Sequence, residues 1–276
     1  MIRLAVRCQT DIADRVLAEL LELAPGGVEE DEGPDWVEYA IYGAPGELPE
    51  VGVVEALASS GQVVVTSEQV PDDWADRWRD FHRPVRIAER VVIRPSWEEA
   101  IPAAGLDVVI DPGQAFGTGA HPTTRMCVEL LIELADAGEA RGSLVDLGAG
   151  SGVLAIVAAR LGFDPVTAVD HEAAAIEAAQ ANAAANGIEL RTERVNLRQE
   201  APPPAGTVVA NLTAPLLREL AERFARDPEG LPRRLICSGL LTREADEIAS
   251  VFADADLMER GRRRAGEWAA LGLTAG

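Results

Sequence analysis

The sequence predicts an α/β protein with a mostly parallel sheet, preceded by a smaller α+β module. Three observations carry this. From Ser143 onward, apolar runs of strand length alternate with helical patterns, which builds a parallel sheet covered on both faces. One of these runs, Leu144-Val145-Asp146-Leu147, leads into Gly148-Ala149-Gly150-Ser151-Gly152 and then into the helical stretch Val153 to Leu161. Glycine at every second position lets the backbone turn sharply and lets a ligand approach it closely. Finally, four strand ends carry polar or small residues, Asp146, Asp170, Asn211 and Gly239, and ligands of such sheets sit beyond those ends.

Composition bounds the function. With 276 residues and 47% hydrophobic content, the chain has ample material for a core in one or two domains. Net charge is −21, and all basic residues are Arg. That balance argues against a nucleic-acid surface, which needs a basic stripe, and suits a cationic cofactor or a basic protein partner. Cys8, Cys127 and Cys237 are scattered and odd in number. They read as reduced, buried thiols in a cytoplasmic setting, without zinc spacing. No apolar run is long enough to span a membrane, and the N-terminus lacks a signal-peptide pattern.

Residues 1–69 read as a separate module. Ile2 to Cys8 alternates as a strand does. Thr10 or Asp11 caps a helix with Ile12, Val16, Leu17, Leu20 and Leu21 on one face, ended by Pro25-Gly26-Gly27. Strands are expected at Gly27–Glu30 and Trp36–Tyr42, a helix at Leu48–Ser59 and a strand at Gln62–Thr66. The order β-α-β-β-α-β is the split βαβ, or ferredoxin-like, arrangement. No residue here looks chemical, so partner recognition is its expected role.

Residues 70–84 read as a linker helix with Trp74, Trp78 and Phe81 spaced i, i+4, i+7 along one face, a packing stripe. The catalytic domain is expected over 85–276. Val85 to Ile93 gives one or two strands, stopped by Pro95, and Leu106–Ile110 gives another. Then comes Asp111-Pro112-Gly113-Gln114-Ala115-Phe116-Gly117-Thr118-Gly119-Ala120-His121-Pro122-Thr123-Thr124, before a helix from Arg125 to Ala135. So long a glycine-rich loop reads as a flap over a cofactor, with Phe116 as its cover and Thr123 or Thr124 as the helix cap.

After the glycine turn, strand Val166–Val169 ends in Asp170, and an Ala-rich helix from Glu172 to Asn186 stops at Gly187. A strand near Leu190–Val195 follows. Strand Thr207–Ala210 ends in Asn211 and leads to a helix from Pro215 to Arg226. Strand Arg234–Ser238 precedes a helix at Thr242–Ala253. Leu257–Arg262 and Trp268–Leu273 close the chain as an antiparallel pair.

Two cofactor classes fit the turn. Gly150-x-Gly152-x-x-Ala155, with Asp170 further on, satisfies a loose dinucleotide fingerprint. A dinucleotide brings a pyrophosphate to the helix N-terminus, whereas S-adenosylmethionine brings a sulfonium and an ammonium group and no phosphate. No basic residue lies between Gly142 and Ala159, and Asp146 flanks the turn, where it suits an ammonium group. Charge therefore favours S-adenosylmethionine, with Asp146, Gly148, Gly150 and Gly152 forming its seat and Asp170 accepting from the ribose hydroxyls. A dinucleotide-dependent oxidoreductase, or a non-catalytic binding protein, stays open as the alternative.

Five segments together resemble the PrmA family, the methyltransferases of large-subunit ribosomal protein eleven. They are Asp73-Trp74…Trp78…Phe81-His82-Arg83-Pro84-Val85-Arg86-Ile87, Arg94-Pro95-Ser96-Trp97, the loop from Asp111 to Thr124, Asp146 through Gly152, and Ala210-Asn211-Leu212. The loop is the specific part, and the resemblance covers residues 71–276. It implies a class I, Rossmann-like, S-adenosylmethionine-dependent methyltransferase domain of seven strands behind a ferredoxin-like substrate-recognition domain. It further implies methylation of lysine side chains and the N-terminal amine of a basic ribosomal protein, free or on the ribosome. By position, the implied cofactor contacts are Thr124, Gly148, Asp170 and Asn211. A methyltransferase of the same fold acting on another protein or a small molecule is the second reading.

A methyltransferase of amines must align donor and neutral amine, so no strong base is required beyond loss of the amine proton. Asn211 is the expected catalytic residue, orienting the amine through an oxygen. His121 is a weaker candidate, and Trp268 is placed to line an acceptor channel.

Overall fold

The computed structural model of the chain describes residues 2–13, 16–17, 20, 28–33, 35–43, 63–69, 83–101, 105–111, 117 and 119–276. It divides into two compact units, Met1–Phe81 and His82–Gly276.

In the first unit, β1 (Ile2–Gln9), β2 (Glu29–Glu32), β3 (Trp36–Gly43) and β4 (Val63–Gln69) form an antiparallel sheet ordered β2-β3-β1-β4. This is the strand order of the split βαβ arrangement. Alternation along β1 and β3 sends Leu4, Val6, Cys8, Val37, Tyr39 and Ile41 into one core, joined by the helical Val16 and Leu20. The second strand falls at Glu29–Glu32 rather than Gly27–Glu30. It is an edge strand of four exposed acids with no apolar signal to mark it. The helix expected at Leu48–Ser59, and the linker-helix stripe of Trp74, Trp78 and Phe81, lie outside the described residues.

The second unit opens with β5 (Val85–Ile87), β6 (Val91–Arg94) and β7 (Leu106–Val109), a small sheet in that order. Arg94 ties β6 to β7, its Nε and Nη2 donating to Asp107 at 2.8 and 2.7 Å. Helix α1 (Pro122–Asp136) follows. Then come β8 (Leu144–Leu147), α2 (Val153–Leu161), β9 (Val166–Asp170), α3 (Ala173–Ala185) and β10 (Arg191–Arg194). The remainder is β11 (Thr207–Asn211), α4 (Ala214–Arg226), β12 (Arg234–Leu241), α5 (Ala245–Ala253), β13 (Leu257–Ala265) and β14 (Trp268–Ala275).

The main sheet is ordered β10-β9-β8-β11-β12-β14-β13. Strands β10 through β12 are parallel, and β14 joins antiparallel to both neighbours. One face buries residues of α1, α2 and α3, and the other buries Leu217, Phe224, Ile248 and Phe252 of α4 and α5. Each such fully buried side chain contributes about 2 kcal/mol of transfer free energy. Chain order reverses between β8 and β11, so the crevice at their carboxyl ends is the topological switch point. Among the described residues, no helix is long and apolar enough to cross a membrane.

Candidate active site

The glycine turn closes β8. Gly148, Gly150 and Gly152 all have positive φ, at 73°, 52° and 79°. A Cβ on Gly152 would lie 2.9 Å from Ala179 Cβ, so this glycine lets α3 pack against the start of α2. A Cβ on Gly148 would lie 2.5 Å from Leu212 Cδ2, which places the residue after Asn211 directly on the turn. Leu212 also lies against Gly239 (φ 83°), where β12 carries an irregularity between Cys237 and Leu240. The β8, β11 and β12 ends are thus packed on one another.

Four backbone amides of the turn have acceptors within the protein. Gly148 and Ala149 donate to Val169 O at 2.8 and 3.0 Å, and Gly152 donates to Ala149 O at 2.8 Å. Gly150 donates to Asp170 Oδ2 at 3.0 Å. At the start of α2, Val153 donates to Ser151 Oγ at 3.3 Å and Ala155 to Asp146 Oδ2 at 3.1 Å. The protein's own carboxylates and a hydroxyl occupy the place where a helix N-terminus would receive a pyrophosphate.

The two aspartates differ. Asp146 is fully buried beneath the turn. Burial, with a smaller contribution from the Asp170 charge, pushes its carboxyl up to about 7 against the Ala155 hydrogen bond. Its Oδ1 has no hydrogen-bond partner among the described residues. Any bearing of Asp146 on an ammonium group therefore runs through the backbone it supports. Asp170, at the end of β9, braces two turns at once, since Oδ1 accepts the Glu172 N–H at 3.0 Å while Oδ2 holds Gly150. Its side chain keeps 10% exposure, and two carboxylate oxygens have lone pairs for further donors.

Two asparagines that the sequence expectations do not place at the site make long-range contacts here, Asn182 joining the start of the long loop to the turn and Asn186 joining the end of α3 to β7. Asn182 Nδ2 donates to Ser151 O at 2.9 Å, and its Oδ1 accepts the Asp111 N–H at 3.1 Å. One helical turn later, Asn186 accepts the Val109 N–H at 2.9 Å and donates to Val109 O at 2.6 Å, behaving as a strand neighbour of β7. Ser151 Oγ adds a bond to Gly117 O at 2.6 Å. Phe116 lies outside the described residues.

At the far end of the loop, α1 begins with its cap on His121 rather than on Thr123 or Thr124, with Pro122 inside the first turn. Thr123 and Thr124 are buried there. Asn211 Nδ2 donates to Thr123 Oγ1 at 3.2 Å and to Thr124 Oγ1 at 3.5 Å. The structure therefore brings Asn211 and Thr124 together across the mouth of the switch point. The His121 ring meets Trp268 edge to face, with centroids 5.0 Å apart, and burial lowers its pKa. Cys127 and Cys237 are buried, and burial pushes the Cys237 thiol up to about 12, which leaves it unreactive.

Residues 49–275 match the family profile described as Ribosomal protein L11 methyltransferase (PrmA). The chain belongs to this family. A ribosomal protein L11 methyltransferase of Symbiobacterium thermophilum is 32% identical, over 98% of this chain and 97% of its own. One from Geotalea uraniireducens is 40% identical, over 76% of this chain and 70% of its own. The crystal structure of a ribosomal protein L11 methylase from Lactobacillus delbrueckii subsp. bulgaricus superposes with a TM-score of 0.62 and 29% identity, covering 70% of this chain and 99% of that one.

Membership in the L11 methyltransferase family makes the chain a methyltransferase dependent on S-adenosylmethionine and sets aside the oxidoreductase alternative. The residues present fit that cofactor. The Gly150, Val153 and Ala155 amides at the turn are taken by side chains of the protein itself, and Asp170 retains acceptor capacity at a strand end facing the switch point.

Proposed function

We propose that this protein transfers methyl groups from S-adenosylmethionine to amino groups of ribosomal protein L11, both lysine side chains and the N-terminal amine, in the cytoplasm. The observation that carries the cofactor placement is the carboxylate of Asp170, held at the end of β9 against the glycine turn, beside an α2 N-terminus whose Val153 and Ala155 amides are taken by Ser151 and Asp146. Asp170 accepts from the ribose hydroxyls, and the backbone of Gly148, Gly150 and Gly152 gives close approach to the remainder. Asp146 holds that backbone from below. Thr124 borders the site from α1.

Bound S-adenosylmethionine supplies a methyl carbon already activated by its sulfonium. The protein's work is alignment. A lysine ammonium, ordinarily near 10.4, must lose its proton, and desolvation in the cleft favours the neutral amine. Asn211 Nδ2 is engaged with Thr123 and Thr124, which turns the carboxamide oxygen to the amine N–H. The acidic chain suits a basic protein substrate, and the N-terminal unit recognises it.

Two measurements test this. Calorimetry should detect S-adenosylmethionine and no NAD, and the reverse result overturns the cofactor placement. Intact masses of ribosomal proteins from cells with and without the gene should differ at L11 by whole methyl increments. A shift on another protein instead would replace the substrate.

A further inference from the structure

The Thr123 hydroxyl stands between two side chains of the cleft. It lies 2.7 Å from His121 Nδ1, and it accepts a hydrogen bond from Asn211 Nδ2 at 3.2 Å. The Thr123 backbone N–H also points at His121 Nδ1, 3.4 Å away. A backbone N–H can only donate, so Nδ1 is the unprotonated nitrogen of that ring. The hydroxyl proton then goes to Nδ1, and only oxygen lone pairs face Asn211. A carboxamide has two unlike ends. Against lone pairs, the nitrogen end is the one that fits.

We infer that His121 and Thr123 are positioning residues: the direction of their hydrogen bonds fixes which way the Asn211 amide faces. The amide nitrogen is held towards α1, and the carboxamide oxygen towards the acceptor amine. This rests on the reading of Asn211 as the residue that orients the amine. Three features support it. Thr123 is 1% exposed, so bulk water does not satisfy its hydroxyl. The Thr124 hydroxyl offers a second acceptor, 3.5 Å from the same amide nitrogen. Trp268 meets the imidazole at 71° and fixes its plane, while burial disfavours the imidazolium, which would place a proton on Nδ1. With a proton on Nδ1 the chain reverses. The Thr123 hydroxyl would then donate to Asn211, the amide would turn over, and an N–H would face the amine N–H.

The test compares Thr123→Val, Thr123→Ser and Asn211→Ala in the full chain, with ¹⁵N imidazole spectra of the unsubstituted protein. Thr123→Val keeps the side-chain shape and removes the hydroxyl. It should lower kcat about tenfold while the dissociation constant for S-adenosylmethionine stays within about twofold, and Thr123→Ser should recover most of the loss. The His121 resonances should report Nδ1 as the unprotonated nitrogen and Nε2 as the N–H. Full kcat in Thr123→Val beside a loss in Asn211→Ala overturns the inference and leaves the proposed function intact. A protonated Nδ1 overturns it too, and that spectrum stands even where a variant fails to fold. Full kcat in Asn211→Ala removes the amine-orienting role itself, and the inference with it.

Discussion

Asp146 Oδ2 accepts a hydrogen bond from the backbone N–H of Ala155, 3.1 Å away, across the whole glycine turn. This one contact ties the end of β8 to the first turn of α2. It is made by a fully buried carboxyl whose other oxygen has no hydrogen-bond partner among the described residues.

A pH dependence of stability follows from it. The folded-state pKa, about 7, lies above the ordinary value of 3.8, so the folded protein binds a proton that the unfolded chain has released. The contribution of this group to stability is therefore largest below about pH 4, falls as pH rises towards about 7 and is level beyond, a change of roughly 4 kcal/mol. Asp146→Asn keeps an acceptor for Ala155 and removes the charge. Urea denaturation at about pH 5 and about pH 8 should show a smaller drop in this variant than in the unsubstituted protein. Equal drops in both would mean that Asp146 is not the titrating group.

Much of this site is legible in the sequence because it is local. Strand β8, the glycines and α2 are contiguous, and α2 spans the expected Val153–Leu161. Asp170 and Asn211 mark strand ends for the same reason. What is not legible is contact across distance. Asn182 and Asn186 read as polar breaks in an Ala-rich helix, yet their partners at Asp111 and Val109 are more than 70 residues away. The depth of Asp146 depends on layers packed over it from both sides. His121 as a helix cap was hidden because Thr123 and Thr124 are the better intrinsic cappers, and Pro122 shifts the start of the helix.

The Asn182 bridge should matter to the loop more than to α3 itself. Asn182→Leu strands the Asp111 N–H and the Ser151 carbonyl, costing about 2–3 kcal/mol. Hydrogen exchange at Asp111 and Gly117 should accelerate, while exchange within α4 and α5 stays the same. Uniform acceleration across the domain would point to global destabilisation instead.

Asp170→Ala should raise the dissociation constant for S-adenosylmethionine by more than about tenfold, through loss of ribose acceptors and of the Gly150 and Glu172 hydrogen bonds. Asp170→Asn keeps acceptor oxygen on one side only and should fall between the two. An unchanged constant in the Ala variant, by calorimetry, refutes the ribose role.

Gly152→Ala combines two penalties, a residue with a side chain at φ 79° and a Cβ pressed to 2.9 Å from Ala179 Cβ. Together they should destabilise the domain by about 2–4 kcal/mol. Adding Ala179→Gly removes the Cβ contact and leaves the backbone strain and the Ala179 Cα 3.0 Å away, so chemical denaturation should show partial recovery. Full recovery would assign the whole effect to the Cβ contact, and none would assign it to the backbone, through φ and the Ala179 Cα approach.

The two units should separate by function. Deleting residues 1–69 should leave binding of S-adenosylmethionine within about twofold, since no expected cofactor contact lies in the segment. Methylation of L11 should fall below detection, because the remaining domain aligns an amine but no longer recruits its owner. Calorimetry and intact-mass assays on the same preparation read the two effects separately. Undiminished methylation by the shortened chain would place substrate recognition in the methyltransferase domain itself.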